Sequence, residues 1–288
     1  MKRIGKRLTV LDFDGTCTNA EVEGIGFVNA VITELVRITG SNEARIRAAY
    51  EGVEERILRN PEQHGWAVNG IIVAPATVDP YLRSKPIVRE ILETHGMTRS
   101  EIDRIVDELN GPRYNEFYQK SGVCLRPKLG DALMRLAAEP DHAVVIITNA
   151  GIEAVKRKLA TLTGVDATMI ESIPVMGGAK KFIVGDLPNA QSELRIPGLN
   201  RPVFCNRPFY FNALNHARTM AGVDDWQNVT VVGDIFELDL ALPHALGCKT
   251  GLAANSHTPR YEKTFMFECL YGDVLFHMEQ IAAFALER

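Results

Sequence analysis

The segment LTVLDFDGTCT, residues 8–18, decides how this chain is read. An apolar run ends in two aspartates two positions apart, Asp12 and Asp14, followed at once by Gly15 and Thr16. Apolar residues without polar alternation suit a strand buried on both faces of a parallel sheet. Side chains two apart on a strand share a face, so Asp12 and Asp14 are expected to project together while Phe13 packs the other way. Carboxylates that close repel, and at least one pKa rises unless a cation stands between them. Gly15 permits a sharp exit and a close approach of backbone to ligand.

Three more runs have the same character: HAVVIITN, NVTVVGD and CKTGLAA. Helical patterns separate them at residues 127–138, 151–162, 208–220 and 238–246. Strand–helix alternation predicts an α/β fold, a doubly wound parallel sheet of Rossmann-like type. Ligands of such sheets bind beyond the carboxyl ends of the strands, where Asp12, Thr148 and Asp234 all fall.

Residues 19–122 break this rhythm. Helical spacing runs through 27–39, 43–59 and 86–95, and a capping box, Thr98 with Glu101, opens another helix at 101–109. Gly40 and Gly96 are expected helix stops. Residues 60–85, with Gly65, Gly70, Pro75 and Pro80, read as a long irregular connection. The expected organisation is a core of residues 1–18 and 123–288, a mostly helical insert at 19–122, and a smaller insert at 166–206 with one or two hairpins.

Composition narrows the function. The chain of 288 residues is 46% hydrophobic and 24% charged, ordinary for a soluble globular protein, and its formal net charge of −4 argues against nucleic acid or an anionic membrane as partner. Cys17, Cys124, Cys205, Cys248 and Cys269 form no CxxC pair, and the histidines no HExxH pattern, so no zinc site is expected. Free thiols imply a reducing compartment, and the basic start is followed by too short an apolar run for a secretory signal. A cytoplasmic protein is the expectation.

Three further elements accompany the aspartates. VVIITNAG ends a strand at Thr148 and Asn149 and opens a helix, offering a hydroxyl and amides to an anion. VVGDIFELDLA places Asp234 at a strand end and Asp239 five residues on, and Arg207 stands before the proline-led helix of NRPFYFNALNHA. With these following the aspartates in the chain order Thr148, Arg207, Asp234, the sequence resembles the haloacid dehalogenase (HAD) superfamily of hydrolases. The first motif is residues 10–16, the second 146–148, the third a basic residue, and the fourth 233–239; the resemblance covers about residues 6–18 and 123–255. The 19–122 insert stands where that family places a helical cap after the first motif, which would close over the site and exclude water.

The resemblance implies a phosphomonoester hydrolase acting on a small phosphorylated metabolite. Asp12 would be the nucleophile, forming an aspartyl-phosphate, and Asp14 the acid and base. Magnesium would join Asp12, the Asp14 carbonyl and Asp234, with Asp239 orienting metal waters or the basic residue. Thr148 and Asn149 would hold phosphate oxygens. The family's third motif is usually lysine; Arg207 is the favoured occupant here, with Lys180 and Lys181 the competitors. In the insert, Arg113, Tyr114, Tyr118 and Lys120, or His64, Trp66 and Asn69, are candidates to face substrate. A phosphomutase keeps the same aspartates, and a phospho-accepting module without turnover is the rival from another class.

Overall fold

The computed structural model describes residues 6–68, 70–110, 113–118, 120–188 and 191–287, with backbone alone at 110, 114 and 115. Strand β1 (Arg7–Leu11) stands at its centre. Leu8 and Val10 enter one buried apolar cluster, and Leu11 and Phe13 enter another. That alternation is the mark of a strand covered on both faces. Beyond β1 the chain bridges back on itself, Thr18 pairing with Leu125 and Arg126 N–H donating to the Cys17 carbonyl at 2.9 Å. Two compact units result: Ala20–Cys124, and the chain up to Asn19 together with Leu125 onward.

The Ala20–Cys124 unit contains α1 (Ala20–Thr39), α2 (Glu43–Arg59), a hairpin of β2 (Gly65–Val68) and β3 (Ile71–Pro75), then α3 (Pro80–Thr94), α4 (Arg99–Asn110) and α5 (Tyr114–Tyr118). Phe27, Leu35, Tyr50, Ile57, Ile87, Ile91, Ile102 and Phe117 fill its core. The stretch 60–85 is not irregular, contrary to expectation. Its glycines and prolines punctuate the hairpin, and Asp79 caps α3 by accepting the Tyr81 N–H at 2.7 Å, with Pro80 as first helical residue. Helix α1 starts seven residues before the expected 27, because Gly24 and Gly26 serve close packing. A Cβ at Gly24 would meet Pro80 Cγ at 2.5 Å, and one at Gly26 the Lys120 carbonyl at 1.9 Å. The capping box forms, Glu101 accepting from the Thr98 N–H at 2.8 Å. Arg83 is buried, donating to Glu21 at 2.8 Å and Glu54 at 2.7 Å.

The other unit continues with α6 (Leu129–Ala137), β4 (His142–Ile147), α7 (Ile152–Leu159), α8 (Ala167–Ser172), β5 (Val175–Met176), the pair β6 (Glu193–Leu194) and β7 (Val203–Phe204), and α9 (Pro208–Met220). Then come β8 (Val229–Gly233), a π-helical turn Phe236–Leu240, α10 (Ala241–Ala245), β9 (Lys249–Ala253), α11 (Arg260–Glu268), β10 (Gly272–Leu275) and α12 (Met278–Leu286). Six strands form one sheet in the order β10-β9-β8-β1-β4-β5, and every pairing is parallel. Residues of α6, α7 and α12 join the cluster of Leu11, while α9, α10 and α11 join that of Leu8. The fold is α/β with a doubly wound parallel sheet, as the alternation of runs predicts. Strands β5 and β10 escape the sequence reading because each is short. Residues 166–206 contribute β5 to the main sheet and one hairpin, β6–β7. Among the described residues no helix is long and apolar enough to cross a membrane.

Candidate active site

The carboxyl ends of β1, β4 and β8, three neighbours in the sheet, deliver Asp12, Thr148 and Asp234 to one edge. Carboxylate oxygens of Asp12, Asp234 and Asp239 lie within 4.8 Å of one another, and all three residues are buried. Gly15 makes this approach possible. Its φ is +84°, and a Cβ there would lie 2.0 Å from Asp234 Oδ2. The turn after β1 is further held by the Gly15 N–H donating to Thr18 Oγ1 at 3.0 Å and by Thr16 Oγ1 donating to Asp12 Oδ2 at 3.1 Å. Asp239 is fixed from the π-helical turn, its Oδ2 accepting the Ile235 N–H at 3.1 Å.

Among the described residues, Lys181 brings a positive charge into the cluster. Its Nζ donates to Asp12 Oδ1 at 2.7 Å and to Asp239 Oδ1 at 2.8 Å, with no exposed surface on the residue. The loop carrying it folds back over the end of β4. Ala179 N–H donates to the Thr148 carbonyl at 2.9 Å, Gly178 N–H to the Ala150 carbonyl at 2.9 Å, and Lys181 N–H to Asn149 Oδ1 at 2.8 Å. Lys180 takes φ +47° and points its amine over the Phe209 ring, 5.2 Å from the centroid.

The two bonds to Asp12 and Asp239 are those of Lys181, while Arg207, favoured from the sequence for the third motif, serves backbone carbonyls. It is fully buried at the start of α9 and donates to the carbonyls of Lys181 (2.6 Å), Glu237 (2.8 Å) and Phe204 (3.0 Å). Its guanidinium thus ties the Lys181 loop to the turn that carries Asp239. Burial among neutral carbonyls pushes it down to about 10.

Strand β1 ends at Leu11 and the chain turns, Cys17 N–H donating to the Phe13 carbonyl at 2.8 Å, so both aspartates lie just beyond the strand whose alternation was expected to set their direction. The Asp14 carboxylate, expected beside the metal ligands, is not part of the buried acidic cluster. It accepts from Lys158 Nζ of α7 at 3.2 Å. Lys158 was not a sequence candidate, though a signal exists: it lies three residues after Val155, on the stripe α7 buries. Two buried glutamates were also missed. Glu262 accepts the N–H groups of Phe236 (3.2 Å) and Glu237 (3.4 Å), and Glu237 is held by Arg201 at 2.5 Å and the Tyr261 hydroxyl at 2.9 Å. These contacts brace the turn that presents Asp239.

The Asp12 carboxyl is pushed up to about 7, first by burial and then by Asp239 and Asp14, against the downward pull of Lys181. For Lys181 burial opposes the charge, but Asp12 and Asp239 outweigh it and hold the amine protonated, above its ordinary value. Three buried carboxylates thus gather at this edge of the sheet. An all-oxygen set of this kind suits a hard divalent cation such as magnesium. Thr148 is buried just past the end of β4, its Oγ1 accepting the Ala150 N–H at 3.1 Å.

In the other unit, Arg113 pairs with Glu34, the Lys85 amine stands 4.5 Å over the Trp66 ring, and Tyr118 lies against Tyr81 with ring centroids 5.3 Å apart. Asn69 and the Tyr114 side chain lie outside the described residues.

Solved structures with this architecture are similar over nearly the whole chain. A HAD-hydrolase, YfnB of Bacillus subtilis, described as bound to magnesium, matches with a TM-score of 0.52 and 12% identity, covering 98% of this chain and 99% of its own. The fold is that of the HAD-superfamily hydrolases. A predicted phosphoglycolate phosphatase of Haemophilus somnus matches with a TM-score of 0.53 and 14% identity over 98% of each chain. A haloacid dehalogenase-like protein of Agrobacterium tumefaciens gives 0.51 and 17% over 97% of each. No protein-family model matches the sequence, and no curated protein does. Within this HAD-like fold, the acidic cluster stands at the carboxyl edge of the sheet, where the strand order makes room for a ligand.

Proposed function

We propose that the chain is a magnesium-dependent phosphomonoester hydrolase acting on a small phosphorylated metabolite through an aspartyl-phosphate on Asp12. The observation that carries this reading is the buried Lys181 ammonium bonded to both Asp12 and Asp239, with Asp234 alongside. A nucleophilic carboxylate must be ionised although burial works against it, and Lys181 supplies the stabilising charge. Asp12 would attack phosphorus, forming an O–P bond as the bond to the leaving oxygen breaks, while Asp14 gives that oxygen a proton. Asp14 would then take a proton from the water that displaces Asp12 and releases phosphate. Thr148, whose oxygen already accepts from Ala150, would donate its hydroxyl proton to a phosphate oxygen. Asp12, Asp234 and the Asp14 carbonyl would hold the magnesium ion, which supplies charge neutralisation for the incoming phosphate. Asp239, with both oxygens engaged by Lys181 and Ile235, is better suited to orienting the lysine than to binding the metal.

The decisive experiment measures phosphate release from p-nitrophenyl phosphate and a panel of small phosphate esters, with and without magnesium. Magnesium-dependent release that disappears in Asp12→Asn is the expected result. A wild-type protein that releases phosphate from no ester would end this reading.

A further inference from the structure

Lys158 is a lysine in a helix position that packing would give to an apolar residue. Val155 and Leu159 on the same stripe of α7 are buried, and the Lys158 side chain is only 8% exposed. Its Nζ donates to Asp14 Oδ1 at 3.2 Å and stands 5.7 Å from the centre of the Phe13 ring. Taking an ammonium out of water is costly, and the cost is offset only where a partner is well placed. Here that partner is the aspartate read above as the proton donor. Asp14 stands three residues past the end of β1, in a turn, and its side chain is 20% exposed.

We infer that Lys158 is a positioning residue that holds the Asp14 carboxylate for proton transfer to the leaving group. The inference rests on the phosphatase reading and deepens it. The proton passes from the Asp14 carboxyl to the leaving oxygen as the P–O bond breaks and the Asp12 oxygen bonds phosphorus. A bond from Lys158 to Oδ1 sets the direction in which Oδ2 faces. Lysine is suited to this because its amine reaches from a helix face along four methylenes that pack as apolar surface.

Leaving groups differ in their need for that proton, which gives a readout that simple damage to the fold would not move. A nitrophenolate leaves without help, whereas an alkoxide does not. General acid catalysis contributes on the order of a hundredfold or more, so Lys158→Met should lower kcat/KM for the best alkyl phosphate of the panel about tenfold or more, and for p-nitrophenyl phosphate under about threefold. Lys158→Arg should restore most of the ratio between the two esters. In an Asp14→Asn background, Lys158→Met should lower neither value further, because the two residues act through one contact. If Lys158→Met does not fold, Lys158→Gln, too short to keep the contact, is read the same way. Equal losses on both esters, or a further loss in the Asp14→Asn background, would overturn the inference. Wild-type protein inactive on every ester overturns the phosphatase reading instead, and the two failures are thereby told apart.

Discussion

Replacing Lys181 by methionine keeps the side-chain length and removes the charge, and the structure sets the size of the effect. Two carboxylates, Asp12 at 2.7 Å and Asp239 at 2.8 Å, lose the cation they share in a site with no solvent contact at the lysine. Removing one partner of a buried ion pair costs about 3–5 kcal/mol. A domain of this size shifts by about 2–4 °C per kcal/mol, so roughly 6–20 °C should be lost from the melting temperature of metal-free protein at neutral pH. The deficit should shrink as pH falls. Burial holds Asp12 at about 7 in the folded protein against 3.8 as its ordinary value. Between those values the folded chain keeps a proton that the unfolded chain has released. This group's contribution to stability is therefore full below about pH 4 and lost as pH rises through 7. Without Lys181 that loss extends to higher pH, since the ammonium that favours the ionised form is gone. Magnesium should recover part of the loss by binding only the folded state. The assay is a thermal melt of wild type and Lys181→Met from pH 4.5 to 8, with and without magnesium. A variant melting within about 2 °C of wild type at pH 7.5 without metal would refute the reasoning, given the cost expected for an unpaired buried charge.

Other positions extend the test. Gly15→Ala puts a methyl group against Asp234 Oδ2 at a φ of +84°, so the turn must move. A misplacement of about 1 Å costs on the order of a hundredfold in rate, read as phosphate release; unchanged activity and magnesium response would show that the close approach is dispensable. In the helical unit, Arg83→Met strips the partner from Glu21 and Glu54, which are 30% and 27% exposed. Solvent screening reduces the penalty to about 2 kcal/mol, measured as the midpoint of urea unfolding; a change under about 0.5 kcal/mol would mean the pair contributes little.

Particular residues show what could be read along the chain and what could not. The parallel sheet was legible because buried strands declare themselves through uninterrupted Val, Ile and Leu, and HAVVIITN and NVTVVGD became β4 and β8. Helix α2 at 43–59 and the Thr98–Glu101 capping box were legible because their signals span only a few residues. The hairpin at Gly65–Pro75 was not, since glycine and proline mark a turn between strands as readily as they mark a loop.

At the site the division is the same. Asp12, Thr148 and Asp234 followed from strand ends, a local pattern, and the sheet order then made them neighbours. The cation beside Asp12 could not follow from local pattern. Arg207 has the expected setting, before a proline-led helix, yet it spends its donors on backbone carbonyls, while Lys181 arrives from a loop hydrogen-bonded to the end of β4. Lys158 reaches Asp14 across 144 residues of sequence. The sequence by itself determined the layer architecture and which strand ends carry acid. Which charge meets which acid was decided only by tertiary structure, because a Coulomb contact depends on distance in space, and separation along the chain does not set it.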